Sequence, residues 1–270
     1  DSCLTTYQKY LKSFKYGYPV FTVEMNNWSE TLGVFRKLSD QYHIEAVILE
    51  PIMGEGNPGK MIELQFYRLL RRLTKEHNSK LIIDSVQAGL RGTGFLSVTD
   101  YHHLMREQAP DIEIFSKAIN SGQYPLSVLA ATMDTYKQFQ VGIYGNTMTC
   151  NPRGLAIGIE TLNNVTPEVR NNIKVMGRFF NKMLTGLQND FPHLVSHVSG
   201  TGLIQAIHIN DDYPVDDFQG LEYQCRINGL NVIHGGENAL RFTPHFLINK
   251  QEIDLIKKIL VLTFCQYINK

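Results

Sequence analysis

Cysteine is scarce: the 270 residues hold four, Cys3, Cys150, Cys225 and Cys265, far apart and without a CxxC pair. That spacing excludes a disulfide scaffold and leads us to expect a reducing, cytoplasmic compartment. Net charge is missing too, because 26 Lys+Arg balance 26 Asp+Glu. No overall field draws in nucleic acid or an anionic membrane, so neither is expected as a partner. The local cluster Arg68, Arg71 and Arg72 reads as a solvated helix face. No apolar run approaches the length of a membrane span, and Asp1 to Gln8 lacks the apolar core of a signal peptide. Among the nine His, only His102 and His103 are adjacent, and none is grouped with Cys at zinc spacing, so no metal is expected. Without a GxSxG elbow, a serine hydrolase has no support. What remains is an ordinary globular composition, 43% hydrophobic and 19% charged, which excludes a disordered chain.

The first half alternates apolar runs with helical patterns. Ala46 to Leu49, Leu81 to Ile83, Ile112 to Phe115 and Leu126 to Ala130 read as buried strands. Between the first two, Ile62, Phe66, Leu69, Leu70 and Leu73 recur at the spacing of one helix face. Strands without polar alternation, separated by helices, predict an α/β fold with a mostly parallel sheet covered by helices on both faces. In the second half, Thr166-Pro167-Glu168 opens a helix that repeats through Val169, Ile173, Met176, Phe180, Met183 and Leu187. Strand candidates follow at Leu203 to Ile209 and Ala239 to Phe242. The pair Asn249 and Glu252 resembles a capping box, opening a helix faced by Ile253, Ile256, Leu260 and Phe264. We expect a large domain over residues 1–165 and a smaller C-terminal α/β domain over 166–270.

Two nucleotide motifs nearly fit. Gly54-Glu55-Gly56-Asn57-Pro58-Gly59 matches GxGxxG between a strand and a helix, and extension through Lys60 and Met61 approaches a P-loop. Met61 stands where that loop needs a hydroxyl for Mg²⁺. Glu55 would set a carboxylate against phosphate, and Pro58 removes an amide donor. A P-loop-like nucleotide binder is the weaker alternative.

Four stretches lie at strand ends or turns: Leu49-Glu50-Pro51-Ile52-Met53-Gly54-Glu55-Gly56, Ile83-Asp84-Ser85-Val86-Gln87-Ala88-Gly89, Phe115-Ser116-Lys117-Ala118-Ile119-Asn120-Ser121-Gly122 and Gly145-Asn146-Thr147-Met148-Thr149-Cys150-Asn151-Pro152. In order and approximate separation, and on through Leu240-Arg241-Phe242-Thr243-Pro244, they resemble the class III (ω-amino) pyridoxal-phosphate aminotransferases, which share the aspartate aminotransferase fold. The likeness runs from about Tyr42 onward. It implies pyridoxal 5'-phosphate as cofactor, and amino-group transfer between an amine or amino acid and a 2-oxo acid through a Schiff base on Lys117. It also implies that Asp84 keeps the cofactor's ring nitrogen protonated and that Gln87 lies near its phenolic oxygen. Thr147 would serve the phosphate in the site of the other subunit of a homodimer. Arg241 would take a substrate carboxylate, and Glu55 matches an acidic residue that in ornithine- and aminobutyrate-type members pairs with an active-site arginine. Each residue also has a structural reading: Lys117 as a solvated lysine, Asp84 as a turn cap, Thr147 as a turn hydroxyl, Arg241 as half of a surface ion pair.

The chain departs from the family at several points. The usual DEVQTG reads Asp84-Ser85-Val86-Gln87-Ala88-Gly89, with Ser85 and Ala88 in place of an acidic and a hydroxyl residue. The usual GRTG reads Arg91-Gly92-Thr93-Gly94, with Arg and Gly exchanged, and the His102-His103 region is slightly enlarged. Family members run well beyond 270 residues, and no counterpart of their front portion is visible before Tyr42. The expectation is therefore an incomplete large domain: a fragment of a longer enzyme, a chain completed by a partner, or a non-catalytic relative acting as a binding module. An aminomutase or racemase of the same family would use the same residues.

Overall fold

The computed structural model describes residues 19–105, 108–142 and 147–268. They fall into two compact units. One gathers the described residues up to Val47 with Ile62–Lys80, and the other joins Ile48–Met61 to those from Leu81 onward.

In the first unit, helix α1 (Trp28–Ser39) starts at Asn27, whose side chain accepts the Glu30 amide at 3.2 Å. Strand β1 (Ala46–Leu49) follows in the chain and is divided between the two units after Val47. Helix α2 (Leu64–Glu76) turns the expected face inward, burying Phe66, Leu69, Leu70 and Leu73, with Trp28 edge-on to Phe66 at 6.2 Å. Arg71 corrects the solvated-face reading of its cluster. It is only 7% exposed, because it follows Tyr67 by four residues and precedes Thr74 by three, both fully buried. Arg68 and Arg72 remain exposed.

Strand β2 (Lys80–Asp84), the short helix α3 (Val98–Tyr101), β3 (Ile112–Phe115) and β4 (Val128–Ala131) lead to helices α4 (Met133–Tyr136) and α5 (Pro152–Asn164). The first sheet runs in the order β1-β2-β3-β4. Strands β2 and β3 are parallel, with Ile82 opposite Ile112 and Asp84 opposite Ile114. Strand β4 pairs antiparallel with β3 and is exposed along its whole length. An antiparallel edge strand on a parallel sheet is a common arrangement. Burial alternates along β2 and β3, so an apolar run overstates how much of a sheet is covered on its second face.

Helix α6 (Pro167–Asp190) is capped by Thr166, whose hydroxyl accepts the Val169 amide. Strands β5 (Val195–Thr201) and β6 (Ile204–Ile209), helix α7 (Leu221–Ile227), strands β7 (Ile233–Gly235) and β8 (Ala239–Phe242), and helix α8 (Lys250–Ile268) complete the chain. The second sheet is antiparallel, in the order β5-β6-β8-β7. The capping box is present: Asn249 and Glu252 exchange backbone-to-side-chain bonds at 2.8 and 3.1 Å. Phe180, Leu184 and Leu187 of α6 share one core with Ile207, Leu240, Leu260 and Phe264.

Close approach fixes α6 against the β5–β6 turn. A Cβ on Gly177 would stand 2.3 Å from the carbonyl oxygen of Gly202, whose own φ is +57°. The buried Gln205 amide bridges the two, donating to Gly177 at 3.2 Å and Gly202 at 2.7 Å. Gly186, on the same helix, has open space beside it. Gly186→Ala should therefore stabilise the fold by about 0.5–1 kcal/mol through helix propensity. Gly177→Ala should destabilise it by more than about 1 kcal/mol through overpacking. Urea unfolding midpoints of the two variants check the opposite signs.

Candidate functional site

Parallel pairing sends the ends of β2 and β3 to the same edge of the sheet, where ligand crevices form in α/β folds. The Ser85 amide extends the ladder to Ile114 at 2.9 Å, so the Asp84–Gln87 turn and the Ser116–Lys117 turn leave the sheet side by side. One oxygen of Asp84 caps the Val86 amide at 3.0 Å, the structural role expected of it. Lys117 opens a short 3₁₀ turn with φ +41°, in the left-handed region that non-glycine residues seldom occupy. Ser116 braces that turn by donating to the Leu126 carbonyl at 2.6 Å. The Lys117 ammonium donates to Gln87 Oε1 at 2.6 Å, so this exposed residue is tethered by one hydrogen bond to the neighbouring turn.

Arg241 enters from β8. It is 6% exposed and donates to the Gly54 carbonyl at 2.8 Å and to Glu55 at 2.5 Å. The pair expected from Glu55 is thus formed, with the guanidinium buried and the carboxylate half-exposed. The Gly54–Gly59 turn is clamped to the second sheet, since Ser199 and Thr201 donate to the carbonyls of Pro58 and Gly59. Three amides of the stretch are spent inside the fold: Gly54 on Glu50, Gly59 on Met53 and Lys60 on Asn57. That use of its donors weakens the phosphate-cradle alternative.

A cavity of about 770 Å³ brings Gln87, Lys117 and Arg241 together with Arg91, Thr243 and Phe246. Glu55 joins them through Arg241. Thr147 does not line the cavity and lies exposed in a turn. An amine donor on a strained turn and a buried guanidinium line one cavity, with the Asp84 carboxylate at the neighbouring strand end, and these groups fit pyridoxal phosphate and an amino-acid substrate.

Two carboxylates escaped the sequence reading. Glu50 accepts the Gly54 amide at 2.9 Å, and burial raises its pKa, with further raising by the charges of Asp84 and Glu55. Its signal was its place inside a quoted motif. Glu113 of β3 is 5% exposed and accepts from the Ser85 and Ser97 hydroxyls at 2.6 Å each, and from the Val98 amide. It thus supplies a carboxylate beside Ser85, the position where the chain lacks the family's acidic residue. Desolvation raises the Glu113 pKa, countered in part by these donors. A carboxyl whose folded pKa lies above its unfolded value gives stability that is complete below about pH 4.3 and is lost as pH rises through the folded value. Relative to Glu113→Gln, the wild type should lose stability over that window and then level off. Urea titrations between acid and neutral pH measure the difference; a flat difference would remove the buried-carboxylate account.

Comparison with known proteins identifies the family. Residues 4–264 match the model of the class-III aminotransferases. An acetylornithine aminotransferase of Prochlorococcus marinus is 29% identical over 96% of this chain and 60% of its own length. The mitochondrial acetylornithine aminotransferase of Debaryomyces hansenii is 31% identical over 93% of this chain and 52% of its own. Among solved structures, an ornithine delta-aminotransferase of Plasmodium falciparum superposes with a TM-score of 0.75 at 28% identity, over 87% of this chain and 60% of that one. An acetylornithine aminotransferase from Elizabethkingia anophelis gives 0.76 at 27%, over 91% and 62%. The chain therefore spans between about half and three-fifths of the length of these relatives. With residues 4–264 matched, the chain belongs to the class-III aminotransferase family.

Proposed function

We propose that the chain carries the lysine-bearing part of a pyridoxal-phosphate-dependent aminotransferase site, moving an amino group between an amine or amino acid and a 2-oxo acid. The contact between Lys117 Nζ and Gln87 Oε1, beside the Asp84 strand end, carries this reading. When bound, the cofactor supplies an aldehyde that condenses with amines and a ring that accepts electrons. Lys117 is the amine that holds it, and afterwards the base and acid that carries a proton at the substrate carbon. Asp84 has one carboxylate oxygen beyond the Val86 amide and serves to hold a proton on the ring nitrogen. Gln87 holds the lysine through its Oε1 and would serve the cofactor's phenolic oxygen.

Arg241 takes a substrate carboxylate once Glu55 lets go. While the ion pair is closed, the cavity suits a donor without a carboxylate at that end. Ornithine-type donors fit this description, and the names of the similar proteins point the same way. A homodimer, in which the exposed Thr147 of each copy serves the phosphate of the other, completes the proposal, with the cofactor layer ending near residue 165. The expected setting is cytoplasmic.

Visible absorption after addition of pyridoxal phosphate tests the assignment. The wild type should develop an imine band. Lys117→Ala should abolish it, and Asp84→Asn should keep the band while lowering amino transfer by about a hundredfold or more. Lys60→Ala should change neither. A band of full strength in Lys117→Ala would contradict the proposal.

A further inference from the structure

The exchange of Arg and Gly in Arg91-Gly92-Thr93-Gly94 has a steric cause and a chemical result. A Cβ at position 92 would lie 2.2 Å from Ile52 Cδ1, and the Gly92 carbonyl oxygen lies 2.0 Å from the Cβ site of Gly202. A side chain at position 92 would require the buried Ile52 to repack. At position 91 the backbone is tied at both ends, its amide donating to Gly89 at 2.7 Å and its carbonyl accepting from Leu203 at 2.9 Å. The side chain is thereby sent into the cavity that Lys117 and Arg241 also line.

There the guanidinium is anchored but has no counter-charge. One nitrogen donates to the Pro244 carbonyl, and the Phe246 ring lies under it at 5.0 Å. No carboxylate among the described residues pairs with it, whereas Arg241 in the same cavity is closed by Glu55. Desolvation alone lowers its pKa, to about 10, so it stays charged at neutral pH. A largely buried cation held by one carbonyl and a ring face lacks the partner that buried charges ordinarily have. Its remaining donors form the planar fork that matches a carboxylate.

We propose that Arg91 is a second carboxylate anchor of the cavity, able to hold a carboxylate of the amino-acid or 2-oxo-acid substrate while Glu55 closes Arg241. Its assignment to substrate rests on the aminotransferase reading; as an anion site it stands on its own geometry. A dicarboxylic acid engages Arg91 with one end and reaches Arg241 with the other only after Glu55 withdraws.

The test is a calorimetric titration of the full chain with glutarate at low chloride, with glutaramide as the neutral control. The wild type should bind glutarate and not glutaramide. Arg91→Gln should weaken glutarate at least about tenfold, and Arg241→Gln should weaken it less. Arg91→Lys keeps the charge without the fork; it should fall between wild type and Arg91→Gln, and it carries the test if Arg91→Gln does not fold. No glutarate binding by the wild type overturns the proposal. So does unchanged affinity in the folded Arg91 variants, or a loss confined to Arg241→Gln. Uptake of pyridoxal phosphate by the same wild-type sample separates the two readings. Glutarate bound through Arg91 without uptake sinks the functional assignment alone, and uptake with glutarate indifferent to Arg91 sinks this inference alone.

Discussion

The parallel register of β2 and β3 is the constraint on which the site depends. With Asp84 opposite Ile114, the two chains leave the sheet together, and a carboxylate turn and a lysine turn become neighbours despite some thirty intervening residues. A slip by one residue would turn the side chains of one strand to the other face and separate the pair. Much of the nearby polar bonding serves that register. Glu113 reaches across to Ser85, Ser116 ties down the lysine turn, and Gln87 closes the gap between the turns. The left-handed backbone at Lys117 is sustained because these contacts over-determine it.

The second sheet contributes a wall and a charge. β8 carries Arg241 into the cavity, and β5 holds the Gly54–Gly59 turn through Ser199 and Thr201. Glu55 rides on that turn, so the arginine and its carboxylate partner are both positioned by the same sheet. The guanidinium of this pair is buried while the carboxylate is half-exposed, so water can solvate the carboxylate but not the cation. Arg91 stands apart from this arrangement: among the described residues it has no carboxylate partner, only the Pro244 carbonyl and the Phe246 ring.

Local chemistry was legible in the sequence. The apolar run Ile112 to Phe115 and the segment Ala239 to Phe242 are strands with those bounds, and Thr166 and Asn249 cap the helices they were expected to open. Strand β5 was not legible, since Val195-Ser196-His197-Val198-Ser199-Gly200-Thr201 is polar and takes its identity from pairing with β6. Helix α5 was missed although Asn151 caps it and Pro152 opens it, because Gly154 and Gly158 dilute the helical pattern. The motifs placed Lys117, Gln87, Glu55 and Arg241 around one site. They could not place Glu113, whose partners Ser85 and Ser97 lie 28 and 16 residues away and are brought together only by the fold. Arg71 shows the same limit, since a charge cluster does not announce which member turns inward.

The central claim is that Lys117, among all the lysines, is the cofactor's amine. Borohydride reduction of the chain after equilibration with pyridoxal phosphate, followed by digestion and peptide mass mapping, tests it most directly. The account predicts a single dominant adduct on the peptide containing Lys117. A dominant adduct on another lysine, or none on the folded chain, would contradict it.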